Sequence, residues 1–248
     1  MGLDGLGGLG GLGGNNPSSN TQGQQPAGLG GLGGLGGGVG NPPSNNNAGK
    51  TVSLKKGQKV SLKKAAADVG LDGNTLSKIH VGLGWDTNKF DGKDFDLDAF
   101  TFAIKADGKV RDEKDFVFFG NKKPAGLGIE LSGDNQTGQG SGDDEVVLAD
   151  LQNIPADIMK IVFAITIYEG KERNQNFGMV ENAFVRLVDQ NTNKEFLRYD
   201  LSEDYSMETA VVVGELYRNN GEWKFSANGS GFNDGLPALC ACYGVNAE

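Results

Sequence analysis

The chain has 248 residues, and 19 of its 41 glycines fall within residues 1–50. Its 23 basic and 32 acidic side chains leave a formal charge of −9, so it lacks the basic face that neutralising a phosphate backbone needs, and no nucleic acid is expected as a partner. No run of 18 or more apolar residues exists, the start MGLDGLGGLG has no basic n-region, and Leu6 stands where a myristoylation pattern needs Ser or Thr; direct membrane insertion is therefore not expected, and the protein reads as cytoplasmic.

Residues 1–50 carry Asp4 and Lys50 as their only charges and no aromatic side chain, and the segment GLGGLGGLGG occurs twice, at 5–14 and 28–37. Ordering such a glycine-rich chain costs more entropy than a Leu at every third position recovers by burial, so 1–50 is expected to be a disordered low-complexity arm. It serves either as a tether or, through its regularly spaced Leu residues, as a weak self-association segment. Residues 51–248 hold every Phe, Trp and Tyr and are long enough for one globular domain.

From Thr51 the texture is short apolar or alternating runs bounded by turn residues. Strands are predicted in 52–62, 78–85, 96–110, 115–120, 127–131, 145–151, 161–170, 184–201 and 209–229. Asp107-Gly108, Asn191-Thr192-Asn193 and Asn219-Asn220-Gly221 separate pairs of β-type runs by a few residues, the spacing of tight hairpins. Helix or helical turn is predicted only in short pieces such as 155–160 and 234–242. Many short strands in one domain of this size predict an all-β fold, a β-sandwich of two antiparallel sheets. Cys240 and Cys242, one residue apart, are too close for ordinary disulfide geometry and read as small buried apolar groups.

Two acidic stretches carry the chemistry. Asp86, Asp91, Asp94, Asp96 and Asp98 crowd into 13 residues, and SGDNQTGQGSGDDE at 132–145 supplies Asp134, Asn135, Asp143, Asp144 and Glu145. On an extended strand Asp96 and Asp98 point the same way as Phe100, Phe102 and Ile104, which places them at the rim of an inward face. Carboxylates gathered away from bulk water need a counter-charge, and an oxygen-only donor set suits Ca²⁺. The alternative is a set of solvated acidic turns. An EF-hand does not fit: with Asp134 at position 1 and Glu145 at position 12, positions 3, 5 and 6 are Gln136, Gly138 and Gln139.

The elements GLGWD (82–86), FDLDA (95–99), DFVFF (115–119), SGDNQTGQGSGDDE (132–145), QNFGMVENAFVRLVD (175–189), RYDLSED (198–204), ETAVVVGELYR (208–218), GEWKF (221–225) and YGV (243–245) follow one another in an order that resembles the TerD family. The resemblance runs from about Thr51 to Val245. It implies a β-sandwich of tellurite-resistance and chemical-stress proteins that binds Ca²⁺ through acidic loops and works beside a membrane-embedded partner protein. Carried onto this sequence, it implies Asp86, Asp96, Asp98, Asp134, Asn135, Asp143, Asp144 and Glu145 as metal ligands. Two departures stand out: Ser141 replaces a carboxylate in the usual GDGDDE, and Phe100 follows FDLDA where a small Ser is usual. Loss of one anionic ligand is expected to weaken affinity or empty one of two sites.

Some eukaryotic members are described as cyclic-AMP-binding, which implies an alternative: a cyclic nucleotide held by Arg173, Arg186 or Arg198 beside Phe177 or Trp223. Each arginine has a plainer role as a cross-strand partner of Asp or Glu. No enzyme is expected. His80, the only histidine, lies in a β-type run with no nucleophile pattern nearby and reads as structural, and no G-x-S-x-G, Walker A or H-E-x-x-H motif occurs.

Overall fold

The computed structural model describes residues 50–86, 95–132, 142–201 and 205–246. The arm predicted over 1–50 therefore lies outside the described residues, apart from Lys50. In chain order the elements are β1 (Val52–Leu54), β2 (Lys59–Ser61), α1 (Leu62–Asp68), β3 (Lys78–Gly84), β4 (Leu97–Ile104), β5 (Phe116–Val117), β6 (Ile129–Leu131), β7 (Glu145–Asp150), β8 (Lys160–Ile167), β9 (Phe184–Asp189), β10 (Lys194–Asp200), β11 (Ala210–Asn219), β12 (Glu222–Phe232) and α2 (Gly235–Tyr243). They form two six-stranded sheets, ordered β1-β10-β9-β3-β7-β6 and β2-β12-β11-β8-β4-β5. All pairings are antiparallel except β1 with β10. The expected β-sandwich is the fold observed. Its edge strands are short: three residues in β1, β2 and β6, and two in β5.

Turn chemistry fixes the two longest hairpins. Asn220 and Gly221, at φ 51° and 76°, join β11 to β12 through the two left-handed positions that match strand twist. Between β9 and β10 the Asp189 carboxylate accepts from the Thr192 Oγ1 at 2.7 Å and from the Thr192 and Asn191 backbone N–H groups at 3.2 and 3.3 Å. Asn193 completes the reversal at φ 54°.

One apolar core lies between the sheets, with Ile79, Val81 and Leu83 of β3, Leu97, Ala99 and Ala103 of β4, and Val147 and Ala149 of β7 fully or nearly buried. A second core covers the outer face of the other sheet. There Phe100, Phe102 and Ile104 of β4 pack with Phe116, Val162, Val212 and the α2 residues Leu239 and Cys240. Ring centroids at 4.7 Å for Phe102–Phe116, 4.8 Å for Phe116–Phe118 and 4.7 Å for Phe102–Tyr243 form a continuous aromatic stack. The face that Asp98 shares with Phe100 is thus the outer one under α2, not the face between the sheets. β4 is buried on both sides, so alternation along it does not distinguish inside from outside.

Three local details refine the predicted elements. Leu62, the last residue of the strand predicted over 52–62, instead opens the helix Leu62–Asp68, started by Ser61, whose Oγ accepts from the Lys64 N–H, and the helix buries Leu62, Ala65 and Ala66. Over 155–160 the shorter of the two expected forms is found, a turn in which the Ile158 N–H donates to the Pro155 carbonyl at 3.1 Å, and Arg218 donates its Nε–H to the Ile158 carbonyl and an Nη2–H to the Ile154 carbonyl, both at 3.0 Å. Cys240 is buried as expected, but Cys242, on the other side of α2, is exposed. Among the described residues no helix is long and apolar enough to cross a membrane.

Candidate functional site

The chemistry concentrates where β3 ends and β7 begins. These strands are antiparallel neighbours with Leu83 opposite Glu145, so residues that follow β3 and residues that precede β7 meet at one rim. After β3 the chain crosses to the other sheet and enters β4 at Leu97. Asp86 thus follows the end of β3 at this rim, and Asp96 directly precedes β4 in the other sheet.

The approach to β7 is built on missing side chains. Residues 142–143 lie across the outer face of β3, and a Cβ at Gly82 would stand 2.2 Å from the Asp143 carboxyl carbon. A Cβ at Gly84 would stand 2.4 Å from the Phe184 ring and 2.9 Å from the Gly142 carbonyl oxygen. Neither glycine has the positive φ that would require glycine on conformational grounds. They are bare because the acidic segment occupies the space a side chain would take.

Seated there, Asp143 is enclosed. Its side chain keeps 4% exposure, between His80 at 26% and Arg186 at 29%. The Arg186 Nε–H donates to Oδ1 at 2.7 Å, and an Nη2–H donates to Oδ2 at 3.0 Å. His80 Nε2 lies 2.6 Å from Oδ2 and carries the proton, since a carboxylate can only accept. The register brings these groups together: Gly82 is opposite Arg186, and His80 is opposite Val188 on β9. Arg186 is held on its other side by Glu195 at 3.1 Å. Burial acts to raise the Asp143 carboxyl, but hydrogen bonds from His80 and Arg186 and their charges outweigh it and hold the group below the usual carboxylate range.

The next two residues turn inward. The Asp144 N–H donates to the Leu83 carbonyl at 2.8 Å, and Asp144 Oδ2 accepts from the Trp85 N–H at 2.9 Å, which ties the start of β7 to the end of β3. Asp144 and Glu145 are both buried, and Glu145 shares the inter-sheet side of β7 with Val147 and Ala149. Asp86 is fixed from the 181–182 turn: its N–H donates to the Glu181 carbonyl at 2.9 Å, and its Oδ2 accepts from Asn182 Nδ2 at 2.7 Å. The Asp96 carbonyl accepts from the Tyr168 N–H at 2.8 Å, joining the entry of β4 to the exit of β8.

The β3–β7 register thus brings Asp86, Asp143, Asp144 and Glu145 to one strand junction, and Asp96 stands at the entry of β4 in the other sheet. Asp98 sits apart, opposite Thr166, in an open hollow on the outer face lined by Phe100, Tyr168 and Asp234. Asp134 and Asn135, with Asp91, Asp94 and Ser141, lie outside the described residues. Among the described residues no three His, Cys, Asp or Glu side chains form a metal-holding group. The oxygen donors of Asp86, Asp96, Asp144 and Glu145 fit a hard cation by chemistry, whereas both oxygens of Asp143 are already engaged by cationic or N–H donors.

The arginines considered for a cyclic phosphate stand on different partners. Arg173 pairs with Glu169 at 3.2 Å and lies over the Tyr168 ring, Arg186 is in the Asp143 site, and Arg198 reaches Asp200 at 2.7 Å and lies over Phe184. Phe177 is buried against Tyr205, and Trp223 is covered by Arg218. By sequence alone His80 reads as structural and Arg186 as a cross-strand partner of Asp or Glu. Their shared attachment to Asp143 depends on the β3–β9 register, which no local signal carries.

A family model described as the TerD domain matches residues 50–243. The chain belongs to the TerD family. General stress protein 16U of Bacillus subtilis (strain 168) is 53% identical over 196 residues, spanning 79% of this chain and 98% of that protein. Tellurium resistance protein TerD of Alcaligenes sp is 49% identical over 198 residues, spanning 80% of this chain and 100% of that protein. Among solved structures, a crystal structure of a homologue of telluride resistance protein (TerD) from Streptomyces coelicolor A3(2) superposes with a TM-score of 0.54 at 27% identity, covering 67% of this chain and 95% of that one. The TerD match covers every element from β1 to the last turn of α2, including the glycine shelf of β3 and the acidic approach to β7.

Proposed function

We propose that this protein acts in the stress response, including resistance to tellurium compounds, as a Ca²⁺-binding module that works by binding and not by catalysis. The observation that carries the reading is the meeting of Asp144 and Glu145, at the start of β7, with the end of β3, which Asp86 follows, and oxygen is the only side-chain donor atom of all three; Asp96, at the entry of β4, joins them in the proposal on the family resemblance. Bound there, a divalent cation would supply the positive charge that lets these carboxylates stay close beside a dry interior. Asp144 holds its place through the Trp85 N–H and Asp86 through Asn182, so these two carboxylates are set on the scaffold before a cation arrives. Asp134 and Asn135 are assigned to the same ligand set by the family resemblance. The names of the relatives support the stress and tellurium part of the reading. A membrane-embedded partner protein belongs to the proposal on the resemblance alone.

The test is thermal unfolding of the full-length, chelator-stripped protein across free Ca²⁺. Mass action predicts stabilisation of about 2.7 kcal/mol at a hundredfold excess over the dissociation constant. Asp144→Asn keeps an oxygen for the Trp85 N–H while removing the charge, so it should fold and lose most of that gain. A melting temperature that does not move with Ca²⁺ in the wild type refutes the reading.

A further inference from the structure

We propose that Asp143 is not a ligand of the rim cation but the anchor of a clasp, closed by His80 and Arg186, that seats residues 142–143 on the Gly82–Gly84 shelf and thereby positions Asp144 and Glu145. Asp143 is a positioning residue in this scheme. The ligand half of the inference rests on the calcium reading above, whereas the clasp itself rests on the fold.

Three observations converge on it. Both carboxylate oxygens of Asp143 are already engaged, Oδ1 by Arg186 Nε and Oδ2 by Arg186 Nη2 and His80 Nε2, at 2.6 to 3.0 Å. A cation taken up by this carboxylate would have to displace a guanidinium that Glu195 also holds in place at 3.1 Å. The shelf beneath is shaped for the carboxyl group, since even a methyl at Gly82 would come within 2.2 Å of it. The clasp also acts on the proposed donors directly, because the residue after Asp143 bonds to Leu83 through its N–H and to Trp85 through its carboxylate. If the seat opens, the chain loses the entry angle that brings Asp144 and Glu145 to the rim.

Ca²⁺ titration calorimetry on the full-length, chelator-stripped protein separates a clasp from a ligand by the sign of one effect. If Asp143 bound the cation, removing the neighbouring Arg186 charge would leave affinity unchanged or tighten it, because a repelling charge would be gone. The clasp predicts the reverse: Arg186→Gln weakens Ca²⁺ binding by about 10- to 100-fold, as loss of an outer-shell support does, and Arg186→Lys recovers part of it. His80→Ala, which removes the other donor to Asp143, should weaken binding in the same direction and serves if Arg186→Gln does not fold. Unchanged or tighter binding in Arg186→Gln together with weakened binding in Asp143→Asn overturns the proposal and returns Asp143 to the ligand set.

A second measurement needs no metal. In the metal-free protein, the denaturation costs of Asp143→Asn and Arg186→Gln should be non-additive, and additive costs overturn the clasp whatever calcium does. A wild type that takes up no Ca²⁺ defeats the calcium reading and the positioning half of this inference, while the metal-free cycle decides the clasp separately.

Discussion

The substitution Gly82→Ala measures how much the acidic approach to β7 depends on a missing side chain. A Cβ at this position would lie 2.2 Å from the Asp143 carboxyl carbon and 2.2 and 2.3 Å from its two oxygens, far inside van der Waals contact. The Asp143 side chain is too short to swing clear without leaving Arg186 and His80. Displacing one partner of a buried ion pair costs about 3–5 kcal/mol, but Arg186 and His80 keep 29% and 26% exposure and can rehydrate, so about 2–3 kcal/mol is expected here. For a domain of this size that is a fall of about 5–10 °C in melting temperature. The control is the same substitution in an Asp143→Ala background, where the obstacle is gone. There alanine should be neutral or stabilise the strand by about 0.5–1 kcal/mol, because glycine loses more backbone freedom on folding. Urea denaturation of the four proteins gives the cycle. Equal costs of Gly82→Ala in the two backgrounds would refute the steric account.

Three further outcomes are expected. Because the Asp143 carboxyl titrates below its ordinary value of about 3.9, its contribution to stability is fully present above that value and is lost as pH falls through the lower folded-state value; urea midpoints below about pH 4 should therefore drop more steeply in the wild type than in Asp143→Asn. Asp115, with a side chain 4% exposed and gripped by Arg111 Nε at 2.6 Å and Nη2 at 2.7 Å, should cost about 2–3 kcal/mol when replaced by Ala, read by the same denaturation assay. One equivalent of a thiol reagent should label the native protein, mapped to Cys242 by mass spectrometry, because burial raises the Cys240 thiol to about 11 and hides it.

Elements set by local chemistry were legible from the residues alone. The β11–β12 hairpin is written in Asn220-Gly221 and the β9–β10 hairpin in the Asp189–Asn193 turn, and both form where expected. Elements set by distant partners were not. LKKAAAD is too short to show a helical period, and its apolar alanines gain meaning only against the neighbouring strands. The return arm after Asp107-Gly108 shrinks to a single bridge, Ile104 to Val110, because the Val110 N–H turns instead to the Tyr243 carbonyl beyond α2. The candidate site divides in the same way. Sequence spacing selected the acidic residues, and the β3–β7 register brings Asp86, Asp143, Asp144 and Glu145 to one strand junction. That Asp143 would be claimed by an arginine on β9, and that Asp98 would face the layer under α2, required the sheet order.

The short margins of both sheets bear on how this protein fails when heated. The strands at the described edges are only two or three residues long, so each presents a short row of main-chain donors and acceptors for a second molecule to extend. Intermolecular β pairing must wait until an inner strand such as β8 or β11 is laid bare. Turbidity on warming should therefore follow the cooperative loss of structure instead of preceding it.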